Sequence, residues 1–217
     1  TNVKPNAVIS MPDVDSIYKI PIELNYQKVD EIVLEKFKLN SSKKPNLRDW
    51  RRVIKEDLEP KEFVKISMVG KSTELADAYK SLTEALKHGG FKNNLKVDID
   101  YVDSEKLDSK NVHRKLGKSD AILVPGGFGE RGIEGMVTAV KYARTKLIPY
   151  LGICLGMQIA VIEFARNVAK LKLANSTEFD IKTNNPVIAL VDEWRDSKGK
   201  KIIVYKSSYG GTMRLGA

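Results

Sequence analysis

Cysteine and histidine are almost absent from this sequence. One cysteine, Cys154, and two histidines, His88 and His113, occur in 217 residues. A single cysteine excludes a disulfide within the chain and is typical of a reducing compartment, so a cytoplasmic location is expected. No apolar run approaches the roughly 20 residues that cross a bilayer, and the N-terminus lacks the layout of a signal peptide. We therefore expect no membrane association.

An aromatic–basic cluster is also lacking, although the net charge is +9. Residues 1–62 hold 12 basic and 11 acidic side chains, so the excess lies in the remainder, with 25 against 17. Such an excess suits an anionic ligand, for example a nucleoside triphosphate, or an acidic partner. It also suits an ordinary solvated surface. Because acids are interleaved with the basic residues, nucleic acid is not an expected partner.

The stretch around Cys154 carries the clearest chemical signal. Residues 148–153 are predicted to form an apolar strand and residues 155–168 a helix, with Cys154 at the turn between them. Gly152 and Gly156 give the pattern G-x-C-x-G, which has the mechanics of a nucleophile elbow. The helix N-terminus favours a thiolate. A buried structural cysteine is the alternative, but the two glycines and the strand-then-helix context favour a nucleophile.

The flanking pattern predicts an α/β fold with a mostly parallel sheet flanked by helices. Residues 121–124 are wholly apolar, as in the middle of a parallel sheet, and a glycine-rich loop follows at 125–129 before a helix over 133–145. A strand–helix–strand order implies a right-handed crossover, with ligands beyond the carboxyl ends of the strands. Further strands are predicted over 63–69, 95–102, 187–191 and 201–205, and further helices over 23–37, 46–58 and 74–88, the last stopped by Gly89 and Gly90.

A thiolate that attacks a carbonyl needs donors for the oxyanion that forms. The backbone N–H of Leu155 is one candidate, and Gly126 or Gly127 of the neighbouring loop can supply another. A general base is also needed, usually a histidine. His88 and His113 are both expected at the solvated surface. Either the base lies beyond Ala217, or the chain is not a cysteine hydrolase.

Five runs together resemble one family. They are DVDSIYKIP (13–21), LVPGGFG (123–129), GICLGMQ (152–158), NSTEF (175–179) and GGTMRLG (210–216). The second and third are similar to class I glutamine amidotransferases in general, and the others narrow the resemblance to the CTP synthase family. The resemblance implies a flavodoxin-like three-layer fold. It also implies that residues 1–40 correspond to the end of the amidoligase (synthetase) domain, 41–62 to an interdomain linker and 63–217 to a glutamine amidotransferase domain truncated at its C-terminus.

The same resemblance implies roles for individual residues. Cys154 would take the γ-glutamyl group from glutamine, and Gly127 and Leu155 would donate to the oxyanion. The residues implied to line the glutamine site are Gly127, Leu155, Gly156, Met157, Gln158 and Glu178, with Glu178 engaging the substrate's α-amino group. Those implied to touch ATP are Pro12, Asp13 and Val14. A mobile lid would comprise Gly210, Gly211, Thr212, Met213, Arg214, Leu215 and Gly216. No metal ligand is implied in the glutaminase domain.

Cofactors and partners follow from the resemblance in the same way. The full-length enzyme would aminate UTP to CTP with ATP, Mg²⁺ and glutamine, would respond to GTP as an effector and would assemble as a homo-oligomer, a tetramer. Because the family's catalytic His-x-Glu run and its P-loop are not found within these residues, this chain is expected to be a fragment with little turnover. Two alternatives stay open: a catalytically incomplete binding or assembly module, and the glutaminase domain of another class I amidotransferase.

Overall fold

A computed structural model of the chain describes residues 2–40, 43–71, 76–189, 193–195 and 201–203. The chain divides into two compact units. The first comprises residues 1–65 and 75–99, and the second comprises residues 66–74 and 100–217. Among the described residues, no helix is long and apolar enough to cross a membrane.

The main sheet has the strand order β2-β1-β3-β4. Its strands are β1 (Glu62–Gly70), β2 (Leu95–Asp103), β3 (Ala121–Val124) and β4 (Tyr150–Gly152). β1 pairs in parallel with β3, placing Ser67 opposite Ile122, and β3 pairs in parallel with β4, placing Val124 opposite Gly152. The predicted parallel sheet flanked by helices is therefore confirmed. Because the pairs run in parallel, the segments after β1, β3 and β4 leave the sheet at one edge.

The central strand β3 is buried because it consists only of apolar residues. Ile122, Leu123 and Val124 are each at most 1% exposed, as expected for a strand covered on both faces. Around it lies the core of the second unit, formed by buried side chains of several elements. These include Val69, Val102, Leu107, Val112, Leu116, Met136, Val140, Leu155, Ile159 and Ile162.

Two helices of the second unit, α6 (Ile133–Lys146) and α7 (Leu155–Asn167), pack against each other and against β3 and β4. Their bounds lie within one residue of the predicted ones. Arg144 of α6 donates from Nε and Nη2 to the carboxylate of Glu163 on α7, at 2.9 and 2.8 Å. Glu163 is completely buried, so this pair replaces the water that the carboxylate loses. Arg166 of α7 donates from Nη1 to both carboxylate oxygens of the exposed Glu134 on α6, at 2.9 and 3.0 Å.

The first unit contains α1 (Ile20–Tyr26), α2 (Val29–Phe37), α3 (Arg48–Leu58) and α4 (Lys80–Lys92). The prediction of one helix over 23–37 is wrong, because the chain breaks between α1 and α2 at Lys28, where φ is 59°. The side-chain amide of Gln27 exchanges two hydrogen bonds of 2.8 Å with the backbone of Ser10. This tie to the N-terminal segment coincides with the break.

The expected stop at Gly89 and Gly90 is also wrong, since α4 continues through both glycines to Lys92. A Cβ at Gly90 would lie 2.6 Å from the carbonyl oxygen of Leu95. Gly90 is therefore required by the close approach of the helix to the following strand rather than by helix termination. The helix also begins later than predicted, after a 3-10 turn over Ala76–Tyr79.

A polar–aromatic cluster joins the N-terminal segment of the first unit to α3 and α4. The hydroxyl of buried Tyr18 donates to Glu84 at 2.6 Å and contacts His88 Nε2 at 3.1 Å, and its ring packs on Trp50 and Phe91. His88 is exposed, as predicted, but it is bonded to Tyr18 rather than only solvated. The helix predicted to begin at residue 46 begins at Arg48, with Leu47 at its N-cap, and Oδ1 of Asn46 accepts the N–H of Arg48 at 3.1 Å.

Short segments complete the described chain. The region over 103–119 contains a 3-10 turn over Ser104–Lys106 and α5 (Val112–Leu116). β5 (Asn175–Ser176) and β6 (Pro186–Ile188) pair in parallel, and β7 (Glu193–Arg195) and β8 (Lys201–Ile203) pair in antiparallel. The predicted strands over 187–191 and 201–205 are present in part, and residues 190, 191, 204 and 205 lie outside the described residues.

Candidate active site

Cys154 lies at the turn between β4 and α7, as predicted. Its backbone adopts φ 51° and ψ −103°, and its side chain is exposed. A positive φ at a non-glycine residue is strained, and such strain persists only where the surrounding structure imposes it. The exposed thiol therefore stands on a strained turn at the carboxyl edge of the sheet. This is the geometry of a nucleophile elbow.

Two glycines allow this turn because other backbone occupies the space of their missing side chains. A Cβ at Gly152 would lie 2.5 Å from the carbonyl carbon of Gly156. A Cβ at Gly156 would overlap the carbonyl oxygen of Val124, the last residue of β3. β4, the turn and α7 can approach β3 only because both positions are glycine. The spacing of the G-x-C-x-G pattern thus follows from close backbone packing.

The glycine-rich loop after β3 lies against the elbow. A Cβ at Gly126 would be 3.5 Å from the Cβ of Cys154, and one at Gly127 would be 3.2 Å from Cδ2 of Leu155. Leu155 is the first residue of α7, so its N–H has no acceptor within the helix. The side chain of Leu155 is buried in the core of the second unit. That the N–H groups of Gly127 and Leu155 converge on one oxygen stays a prediction.

Charged side chains from two other elements bind the same loop. Lys71, which follows β1, donates from Nζ to the carbonyl oxygens of Phe128, at 2.7 Å, and Gly129. Glu178, which follows β5, accepts the N–H of Gly129 at 2.7 Å. Burial lowers the pKa of Lys71, and the negative charge of Glu178 partly opposes this shift. Lys71 and Glu178 therefore hold the loop from its two sides.

Tyr150 supports the elbow from inside the second unit. Its hydroxyl donates to the carbonyl oxygen of Gly156 at 2.8 Å, and its ring packs against the core. Burial raises the pKa of Tyr150 above its ordinary value of 10.0. The first turn of α7 is thus bonded back to the strand that precedes Cys154.

Replacing Tyr150 by phenylalanine is expected to lower the free energy of unfolding by about 1 kcal/mol at neutral pH, because one hydrogen bond is lost. A raised pKa in the folded state stabilises the fold fully below the unfolded pKa of 10.0, and this stability is lost as the pH rises above it. Urea unfolding at pH 7 and above pH 10 measures both effects. Tyr150→Phe should lose less stability than the parent over this alkaline step. An equal loss in both proteins would contradict the prediction.

Neither histidine is bonded to the cysteine in the described part of the chain. His113 Nδ1 is 2.8 Å from the hydroxyl of Tyr142 within the second unit, and His88 is bonded to Tyr18 within the first. Among the described residues, no group of three or more His, Cys, Asp or Glu side chains is arranged to hold a metal ion.

Other residues predicted for the site lie in different surroundings. Gly156 is buried, Gln158 is partly exposed, and Met157 is 56% exposed beside an apolar groove along α7. Pro12, Asp13 and Val14 lie in a segment of the first unit without regular secondary structure, before the 3-10 turn over Ile17–Lys19. The predicted lid, residues 210–216, lies outside the described residues.

Sequence reasoning missed Lys71 and Arg131 as parts of this site. Arg131 pairs with Glu105 at 3.1 Å and donates to the carbonyl oxygen of Lys71 at 3.4 Å. Both arginine and lysine follow strands or loops on the carboxyl edge of the sheet. That shared edge is the signal that could have identified them.

Comparison with known proteins gives two findings. A family model described as "Glutamine amidotransferase class-I" matches residues 74–209. A solved structure of the Trypanosoma brucei CTPS glutaminase domain with bound acivicin is similar in sequence and fold, with 39% identity and a TM-score of 0.56. The match covers 63% of this chain and 53% of the solved chain, so the present chain spans about half the length of that relative. The predicted flavodoxin-like arrangement agrees with both findings.

Proposed function

Because the chain belongs to the class I glutamine amidotransferase family, we propose that it takes part in glutamine hydrolysis, with Cys154 as the nucleophile. One observation carries the proposal above all: the only cysteine has a strained backbone with φ 51°, at an exposed strand-to-helix turn. A structural cysteine needs neither the strain nor the exposure.

The proposed reaction has two steps. The Cys154 thiolate attacks the γ-carboxamide carbon of glutamine, and the resulting oxyanion accepts hydrogen bonds from the N–H groups of Gly127 and Leu155. As the tetrahedral intermediate collapses, the nitrogen takes up a proton from water, the carbon–nitrogen bond breaks and ammonia leaves. The thioester that remains is cleaved by water, which yields glutamate and restores the thiol.

Glu178 is proposed to bind the α-ammonium group of glutamine. One carboxylate oxygen accepts the N–H of Gly129, and a carboxylate has lone pairs on both oxygens for further donors. The same side chain can therefore hold the loop and orient the substrate. Gly156, Met157 and Gln158, on the first turn of α7, are proposed to line the remainder of the glutamine site.

The rate of glutamine hydrolysis also depends on a group that accepts and donates protons beside Cys154. Positioned proton transfer contributes roughly 10²–10⁴-fold to a rate, and both histidines of the sequence are bonded to tyrosines. We therefore expect this 217-residue chain to acylate slowly and to release ammonia near the background rate.

The test is covalent labelling with the chloroketone analogue of glutamine. Mass spectrometry should find one adduct on Cys154, and an excess of glutamine should slow its formation. Cys154→Ala should carry no adduct, and ammonia release under saturating glutamine should stay near background. Labelling that glutamine does not slow would contradict the proposed function. Rapid turnover would instead show that the chain contains a base that the two histidines do not explain.

The finer proposal is that the ammonia serves the amination of UTP to CTP in pyrimidine nucleotide biosynthesis, as in CTP synthases. The 39% identity to the Trypanosoma brucei CTPS glutaminase domain supports it. Under this proposal the whole protein would use ATP and Mg²⁺, respond to GTP and form a tetramer, and residues 12–14 would contact ATP. GTP should then change the rate of chloroketone labelling. A rate that GTP leaves unchanged would favour the glutaminase domain of another class I amidotransferase.

A further inference from the structure

We propose that Lys71 is a positioning residue for the glycine-rich loop, residues 125–129. Its ammonium group keeps the N–H of Gly127 facing the carbonyl that Cys154 attacks. The inference rests on the proposed function, because only a site that forms an oxyanion needs this donor. It adds a role for a residue outside both the G-x-C-x-G pattern and the glycine-rich loop.

Charged side chains bind both polar groups of one peptide in this loop. The carbonyl of Phe128 accepts from Lys71 Nζ at 2.7 Å, and the N–H of Gly129, in the same peptide group, donates to Glu178 at 2.7 Å. Both polar groups of this peptide are therefore bound by charged side chains, which make stronger hydrogen bonds than neutral ones. Lys71 also binds the next carbonyl, that of Gly129. The peptide plane cannot rotate without breaking these bonds.

The backbone before this peptide group is conformationally free, because Gly126 and Gly127 are both glycines. The N–H of Gly127 lies two peptide groups before the bound one, and Gly126 and Gly127 have no side chains that restrict the backbone. A rotated peptide would turn a carbonyl oxygen towards the developing negative charge in place of an N–H. The loop therefore needs a constraint from outside itself. Lys71 supplies part of this constraint from the end of β1, which lies beside β3 on the side opposite to β4.

Lys71 is itself held in place by a neighbouring arginine. Arg131 donates to its backbone carbonyl at 3.4 Å and pairs with Glu105 at 3.1 Å. Burial of the ammonium group lowers the pKa of Lys71, as expected for a cation that has exchanged part of its hydration for carbonyl oxygens. A solvated surface lysine would show neither feature.

The test compares two alkylating reagents on the same thiol. The chloroketone analogue of glutamine passes through an oxyanion at its ketone oxygen, so its rate depends on the oxyanion donors. Iodoacetamide reacts by displacement of iodide and forms no oxyanion. Lys71→Met keeps the apolar stem but removes the donors, so we expect about 10- to 100-fold slower chloroketone labelling. This is less than the roughly 10²–10³ that loss of an oxyanion donor costs, because Glu178 still binds the loop. Iodoacetamide labelling should be unchanged.

Two further variants make the comparison specific. Lys71→Arg keeps a cation with several donors and should recover part of the chloroketone rate. Lys141→Met, at an exposed position of α6, should label as the parent does with both reagents. Far-UV circular dichroism on heating checks that each variant is folded.

Each other outcome has a definite meaning. An unchanged chloroketone rate in Lys71→Met would overturn the proposal, and so would an equal slowing by both reagents, because Lys71 would then act on the thiol or on the fold as a whole. If glutamine fails to protect the parent chain from the chloroketone, the proposed function itself fails. The protection experiment therefore separates the two failures.

Discussion

Gly156→Ala is expected to destabilise the second unit by about 3 kcal/mol or more and to abolish chloroketone labelling of Cys154. The added Cβ would overlap the carbonyl oxygen of Val124 and lie 2.9 Å from its carbonyl carbon. Backbone cannot move aside as a flexible side chain can, so α7 would have to shift away from β3. The strained turn at Cys154 depends on that contact. Stability and reactivity should therefore fall together.

Urea unfolding followed by circular dichroism measures this effect. With a typical slope of about 2 kcal/mol/M, the midpoint should fall by about 1.5 M. Gly89→Ala is the matched control, because Gly89 also lies in a helix and a Cβ there meets nothing within 4 Å. The control should gain about 0.5–1 kcal/mol from the better helix propensity of alanine. A Gly156→Ala variant as stable as the parent would contradict the packing argument.

Arg144→Met is expected to cost about 3 kcal/mol of the free energy of unfolding, because it leaves the carboxylate of Glu163 buried without its partner. Glu163 is completely buried, whereas the side chain of Arg144 is 37% exposed. Water can reach the vacated position, so the cost lies at the lower end of the range for broken buried pairs. Replacing both residues by apolar ones should instead change the free energy of unfolding little, because no unpaired charge is then buried.

The double variant Arg144→Met/Glu163→Leu tests this distinction. It should recover most of the lost stability, since no buried charge remains. Glu134→Gln in the second arginine–glutamate pair is the control, and it should cost less than about 1 kcal/mol because Glu134 is 74% exposed. All four proteins can be compared by urea unfolding at pH 7. A double variant less stable than Arg144→Met would contradict the argument.

The sequence alone predicts the parts of this fold that depend on local patterns. Residues 121–124 are wholly apolar and form the buried strand β3 with the predicted bounds. The G-x-C-x-G spacing predicts the strained turn because each glycine reports a close backbone approach. These features are encoded within about ten residues, where periodicity and glycine positions are informative.

Features that depend on contacts distant in sequence could not be predicted in this way. The Gly89–Gly90 pair suggests a helix end, but Gly90 is required by a carbonyl of the next strand. Lys71 contacts a loop nearly sixty residues further along. A glutamate in a helix is usually exposed. Glu163 is buried in α7 because Arg144 of α6 pairs with it. Long polar side chains carry no periodic signal that names their partners.

The role of each site residue is a separate question from its position. The resemblance assigns Glu178 to the substrate's α-amino group, whereas its carboxylate also binds the N–H of Gly129. A family motif predicts which residue type stands at a given position of the chain. The structure is needed to show which other residues that side chain contacts.

The strand order β2-β1-β3-β4 bears on how the site is made during synthesis. β2 lies beside β1, β3 on the other side of β1, and β4 beside β3, so each strand pairs with one that the ribosome has already produced. In this sheet, a chain that emerges from its N-terminus can add β2, β3 and β4 in turn to an edge that already exists. Lys71 and the glycine-rich loop that it binds are therefore both synthesised before Cys154. Cys154 is thus synthesised after the loop that lies against its turn, and Glu178, which also binds that loop, is synthesised later still.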